Sequence, residues 1–273
     1  MNYQAYSYTD FDIAQIYKGD DFVVSDGIVI HQPTLREIID FGESEFWHTI
    51  FLLTCNPTSM RVALWDAGQD WNKMDDFVLF ISLVSNMKPE KTSILFGDLD
   101  FSQFDILENE NEDYILINRV NPLIQIDRKI YEKLVSYLRM VFNSNPKVEK
   151  IKGKFSKQLV IDGEKADMEV KAQLEGNTLW KNSTLFPLLS AVTNHAGFQY
   201  NLQEVQELTF FQFMDAVKRI RVIDTSNALL GGIYSGMLDT SKMKNLDKEL
   251  DWTRDLYEVT PISVKDEDKP KDK

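Results

Sequence analysis

The chain has 273 residues, 43% of them hydrophobic and 27% charged, and its 30 Lys and Arg against 43 Asp and Glu give a formal net charge of −13. That is the composition of a core-forming globular protein, with a length suited to one large domain or two smaller ones. A surface this negative repels phosphate, which argues against nucleic acid and anionic membranes as partners.

From the N-terminus, residues 1–18 carry Tyr3, Tyr6, Tyr8 and Phe11 but no apolar signal-like run, so no secretory signal is expected. Asp21-Phe-Val-Val-Ser-Asp-Gly-Ile-Val-Ile30 predicts a β-hairpin, because Asp-Gly between β-branched runs is a strong turn signal. Pro33 or Thr34 opens a helix with Glu37 near its positive end. Short helices then follow as far as Met87, with stripes at Leu35, Ile38 and Ile39, at Phe46, Trp47, Ile50 and Leu53, at Met60, Ala63 and Leu64, and at Phe77, Phe80, Ile81 and Val84, all at spacings of three and four. The longest apolar runs, such as Phe77–Val84, fall far short of the roughly 20 residues a bilayer requires. The expected location is cytoplasmic.

The pattern changes at Ile94. Phe101–Leu107, Tyr114–Ile117 and Leu123–Ile126 predict a small antiparallel meander, its first two strands joined by the acidic loop from Glu108 to Asp113. Asp127 then caps an amphipathic helix striped by Ile130, Leu134, Leu138 and Val141. Residues 147–181 are rich in Lys and Glu and predict a linker, either extended or carrying a solvated helix around Gly163–Leu174. Helices resume from Ser183, with a short one at Asn201–Leu208, a long one capped by Thr209, and a further one from Thr225 to Tyr234 closed by Gly236. The expected fold is α+β, mainly α: helical N- and C-terminal parts, an N-terminal β-hairpin and a meander around 94–126. The expected organisation is an N-terminal α+β part at 1–146, the charged connector at 147–181, a C-terminal helical part at 182–257 and a disordered charged tail at 258–273.

Catalytic constellations are missing. His31, His48 and His195 are the only histidines and Cys55 the only cysteine, at spacings that suit no zinc site. The apolar neighbours of Cys55 predict a buried, inert thiol. Asp98-Leu-Asp-Phe-Ser102 lacks the glycine and glutamate of a calcium loop. Gly231-Gly-Ile-Tyr-Ser-Gly236 is neither a phosphate loop nor a nucleophile elbow, and helix packing or a helix break accounts for it. The carboxylate pair Asp75-Asp76 sits at a helix start, where capping explains it, and Asp20-Asp21 opens a hairpin. No enzyme activity, metal or cofactor is expected.

Two features suit a protein partner. Phe210, Phe211, Phe213 and Met214 cannot all face one core at helical spacing, which makes Phe211 a candidate for a second apolar surface unless flanking helices bury both faces. Lys218, Arg219 and Arg221 form the only basic knot on a helix, read as a solvated face or as a site for an anion or acidic partner. Trp65 and Trp71 are assigned to core packing.

The stretch His31-Gln-Pro-Thr-Leu-Arg-Glu-Ile-Ile-Asp-Phe-Gly-Glu43, with Leu64-Trp-Asp-Ala-Gly-Gln-Asp-Trp71 and Asp76–Phe80, resembles a family encoded in the tail-morphogenesis modules of phages and prophages of Gram-positive bacteria. So does Phe198–Phe213, continued through Ala228-Leu-Leu-Gly-Gly-Ile-Tyr-Ser-Gly-Met-Leu-Asp239 and Glu249-Leu-Asp-Trp252. The resemblance implies a non-enzymatic tail assembly chaperone in the cytoplasm of the bacterial host. Its implied partners are the tape measure protein, which such chaperones keep soluble, and the tail tube protein that polymerises around it. Helix-rich acidic proteins can offer grooves to amphipathic helices and keep clients soluble. The alternative is a structural virion protein, a connector or baseplate component, with the meander as a fixed interface.

Overall fold

A computed structural model describes residues 7–108, 113–174, 183–238, 243 and 245–257. Capping boxes set several helix starts. Thr9 and Asp12 exchange backbone hydrogen bonds at the head of α1 (Asp10–Lys18), and Gly19 ends that helix at φ 81°. Thr34 and Glu37 do the same for α2 (Leu35–Phe41). In each, two orphan N–H groups of the first turn are satisfied at once. Between these helices lies the hairpin of β1 (Phe22–Ser25) and β2 (Ile28–Ile30), with Phe22 opposite Ile30 and Val23 opposite Val29. Gly27 makes its turn at φ 78°.

Next come α3 (Glu43–Thr54), α4 (Arg61–Asp66) and α5 (Asp76–Val84), where Asp75 accepts from the N–H groups of Phe77 and Val78. The sequence pattern places the change to strands at Ile94, but Ile94 lies in a further helix, α6 (Pro89–Phe96). Pro89 occupies its first turn, where the missing N–H costs nothing, and Thr92, Leu95 and Phe96 are buried. The meander therefore starts at Phe104, after a 3-10 turn at Phe101–Gln103 that Asp100 caps. Its strands β3 (Phe104–Glu108), β4 (Tyr114–Asn118) and β5 (Gln125–Ile126) pair antiparallel in that order. Residues 109–112 of the expected acidic loop, and the charged tail at 258–273, lie outside the described residues.

Asp127 caps α7 (Arg128–Val141), as its sequence indicates. The charged stretch after it carries α8 (Lys154–Leu174), a 21-residue helix packed against α4. Then follow α9 (Leu185–Thr193), α10 (Leu202–Gln206), α11 (Phe210–Tyr234) and α12 (Leu246–Leu250). The pattern predicts a new helix at Thr225, whereas α11 runs unbroken for 25 residues. Thr225 caps nothing: its hydroxyl donates back to the Arg221 carbonyl at 2.8 Å, the bond such a side chain makes inside a helix. The fold is mainly α, of the α+β class, with the hairpin and the meander in place.

One hydrophobic core runs from Ile16 to Val217. Tyr137 of α7 stacks on Phe22 of β1 at 4.2 Å, and Phe210 of α11 meets Trp47 of α3 at 4.9 Å and Phe142 at 5.7 Å. Backbone bonds join the halves of the chain: Leu35 N–H donates to Leu208 at 3.0 Å and Phe210 N–H to Pro33 at 3.3 Å. A second cluster of Cys55, Leu64, Trp71, Leu79 and Ile161 lies where α8 meets α4. Among the described residues no helix is long and apolar enough to cross a membrane.

Candidate partner-binding site

Helix α11 starts at Thr209, whose hydroxyl accepts from Gln212 N–H while the Gln212 side chain accepts from Thr209 N–H. Phe210, Phe211 and Phe213 all belong to the main buried core, so Phe211 does not form the separate exposed apolar surface its spacing suggested. Phe211 is only 7% exposed. The chain's own C-terminal segment covers it: the Tyr257 ring stacks on Phe211 at 5.0 Å with the planes 25° apart.

The same helix face grips that segment at several further points. Tyr257 donates its hydroxyl to Asp215 Oδ1 at 3.0 Å, and Lys218 Nζ stands 4.4 Å from the centre of the Tyr257 ring. Burial lowers the Lys218 pKa, against the attraction of Asp215, so the ammonium is partly desolvated over the ring, where a cation–π contact is strongest. Arg219 Nη1 donates to the carbonyls of Trp252 at 2.6 Å and Arg254 at 3.1 Å. Further along α11, the Ser226 hydroxyl donates to Leu250 at 2.9 Å. Residues 246–257 are thus strapped along α11.

The basic knot is divided by this arrangement. Lys218 and Arg219 hold the strap, and Arg221 remains exposed. Tyr257, Asp215 and the carbonyl of Arg254 are partners that no motif in the sequence marks, and Trp252 stands in the sequence only as part of the Glu249–Trp252 stretch. Their one visible signal is the aromatic and apolar content of Leu250-Asp-Trp-Thr-Arg-Asp-Leu-Tyr257 just before a run of charge.

Elsewhere His31, His195, Cys55 and Asp100 are engaged in structure, whereas His48 is exposed. His31 sits between Asp21 at 2.8 Å and Glu37 at 3.3 Å. His195 pairs with Asp224 at 2.9 Å through Nε2 and accepts from Gly197 N–H through Nδ1. Burial pushes the Cys55 thiol up to about 12. Asp100 accepts from Ser102 and Gln103. Among the described residues no three His, Cys, Asp or Glu side chains gather as a metal-binding set. Trp71 is 2% exposed and meets Trp65 edge-on at 5.8 Å.

Residues 180–257 match the family model of the YomV second domain, a phage-derived family. The matched stretch takes in α9 to α12 and ends on Tyr257, the residue that closes the strap over Phe211. No curated protein and no solved structure matches the chain.

Proposed function

We propose that the chain is a tail assembly chaperone of a phage or prophage, working in the host cytoplasm. It binds the tape measure protein, keeps it soluble and assists assembly of the tail tube around it, with no catalysis of its own. The observation that carries this reading is the match of residues 180–257 to a phage-derived domain, in a chain whose quoted segments resemble tail-module proteins. Two properties support it. The charge of −13 disfavours nucleic acid and favours solubility of a client complex. His31 and His195 are held in ion pairs and Cys55 is buried in the smaller cluster.

Co-expression with the tape measure protein of the same genome tests it. The expected result is a soluble tape measure that co-purifies with this chain. A tape measure that stays insoluble and does not co-purify overturns it.

A structural virion role has one observation in its favour. The meander exposes apolar side chains: Ile106 at 48%, Leu107 at 50% and Leu123 at 86%. Ile106 and Leu107 lie on opposite faces of β3 and Leu123 in the turn before β5, so the meander leaves apolar contact points open on both of its faces. Mass spectrometry of purified particles decides between the two, because a virion component appears there at stoichiometric level and a chaperone does not.

A further inference from the structure

Helix α8 has two unlike faces. One is fixed to the body: Ile161 is fully buried in the smaller cluster, Lys157 pairs with Asp70 at 2.7 Å, Lys165 pairs with Asp66 at 2.6 Å, and Glu164 receives Arg61. At 100° per residue, the side away from these contacts carries Phe155, Leu159, Gly163, Ala166 and Val170 within an arc of about 80°. All five are exposed, Phe155 at 82%, Leu159 at 64% and Val170 at 51%. The stripe runs over four turns, and nothing in the described chain covers it.

Its centre is costly for the helix. Gly163 lies mid-helix, where glycine is markedly less favourable than alanine. Packing among the described residues does not explain it, because none of their heavy atoms lies within 4 Å of where its Cβ would be. A notch at Gly163 and Ala166 between the larger Phe155, Leu159 and Val170 suits close approach by a second helix. The flanks specify the charge of that helix. Asp162 and Glu169 border the stripe on one side and Asp167 on the other, all exposed, whereas Lys157 and Lys165 are turned to the body and neutralised there.

We propose that the outer face of α8 is a docking surface for an amphipathic helix whose apolar stripe is flanked by Lys and Arg. The inference goes beyond the tail-assembly reading and does not depend on it. Apolar burial supplies the affinity, and the acidic borders select basic flanks.

The test uses the full chain and a labelled synthetic 21-residue helical peptide with a leucine stripe and lysine flanks, followed by fluorescence anisotropy at physiological salt. A peptide of the same composition, shuffled so that no stripe forms, is the control for plain charge attraction. The striped peptide is expected to bind at least about tenfold more tightly than the shuffled one. Leu159→Ser with Val170→Ser is expected to remove that advantage, and Asp167→Asn with Glu169→Gln to weaken binding and flatten its salt dependence. Gly163→Leu fills the notch: it is expected to raise the melting temperature and weaken the peptide, a pairing that a purely structural role does not produce. Equal binding of the two peptides overturns the proposal, as does unchanged affinity in the Leu159→Ser/Val170→Ser variant. Sedimentation that shows a dimer of this chain, returned to monomer by the same variant, overturns it in favour of a second copy as occupant.

Discussion

Glu43, the first residue of α3, caps the start of α9 through Thr184: its Oε1 accepts from the Thr184 N–H at 2.7 Å and hydroxyl at 2.8 Å. The same oxygen accepts from Leu185 N–H at 3.0 Å, and the Ser183 hydroxyl donates to Oε2. The carboxylate thus supplies the acceptors that an N-cap residue normally provides for its own helix. Burial works against the charge, but the bonds from Ser183, Thr184 and Leu185 prevail and lower the Glu43 pKa. Glu43→Ala leaves those donors unpaired and is expected to cost about 2–3 kcal/mol in urea denaturation. A depressed carboxylate contributes stability above its unfolded value of 4.5, and that stability drains as pH falls through the lower folded value. The variant should therefore lose the part of acid unfolding that the parent chain shows there.

His31 gives the opposite sign. Burial disfavours its charged form, yet hydrogen bonds and charge from Asp21 and Glu37 raise its pKa above 6.5. A raised histidine contributes stability that is fully present below 6.5 and is lost as pH rises through the folded value. The site is half open, so screening keeps the effect small. A melting temperature that falls as pH rises above 6.5 is expected, and His31→Gln should flatten that slope. An identical slope in the variant would remove His31 as its source.

The local chemistry of starts and turns was legible from residue order alone. Thr34 with Glu37, Asp75, Asp127 and Thr209 all cap the helices their positions imply, because a cap needs only a few adjacent residues. What escaped the sequence depends on distant partners. Glu43 reads as a first-turn carboxylate of its own helix, and nothing near it signals Thr184. Residues 147–181 read as a connector because α8 buries so little: Ile161 fills the cluster, and paired charges hold much of the rest. Ion pairs between segments some ninety residues apart leave no periodic trace. Phe211 was visible as an aromatic too many for one face, while its cover, Tyr257, lies 46 positions further on.

The stack of Phe211 and Tyr257 should register as an energetic coupling. Phe211→Ala is expected to cost about 3 kcal/mol or more, as for other buried phenylalanines. Tyr257→Ala should cost less, because its ring lies at the surface end of the strap. In a double-mutant cycle read by urea denaturation, the pair should couple by about 0.5–1.5 kcal/mol. Additive losses would mean that the strap does not hold Phe211 in solution. Phe211→Ser adds a functional readout: if it folds but no longer retains the tape measure, this face belongs to the client site.

Ile161 is the side chain by which α8 reaches the smaller cluster, and Trp71 reports on it. Lys157 also covers that indole, with Nζ 5.2 Å from the ring. Ile161→Ala should destabilise by about 2–4 kcal/mol and let water reach the indole, with a red shift of tryptophan emission. Lys157→Ala should give a smaller loss, since its pair with Asp70 is partly solvated. If the Ile161 variant keeps the parent stability and emission, α8 is not docked as described.

The paired glycines of α11 should respond in opposite ways to the same change. Among the described residues nothing lies within 4 Å of the Cβ position at Gly231, whereas at Gly232 an added Cβ meets Leu238 Cδ1 at 2.5 Å and Cγ at 2.9 Å. The Gly232 carbonyl also accepts from the N–H groups of Met237 at 3.0 Å and Leu238 at 3.2 Å, so the turn that ends the helix folds back onto this residue. Gly231→Ala gains helix propensity without a clash and should stabilise by about 0.5–1 kcal/mol. Gly232→Ala has the same gain available but must displace Leu238, which is 39% exposed and partly able to yield. Thermal melts are expected to rank Gly231→Ala above the parent chain and Gly232→Ala at or below it. Equal gains at both sites would mean that Leu238 does not pack against α11.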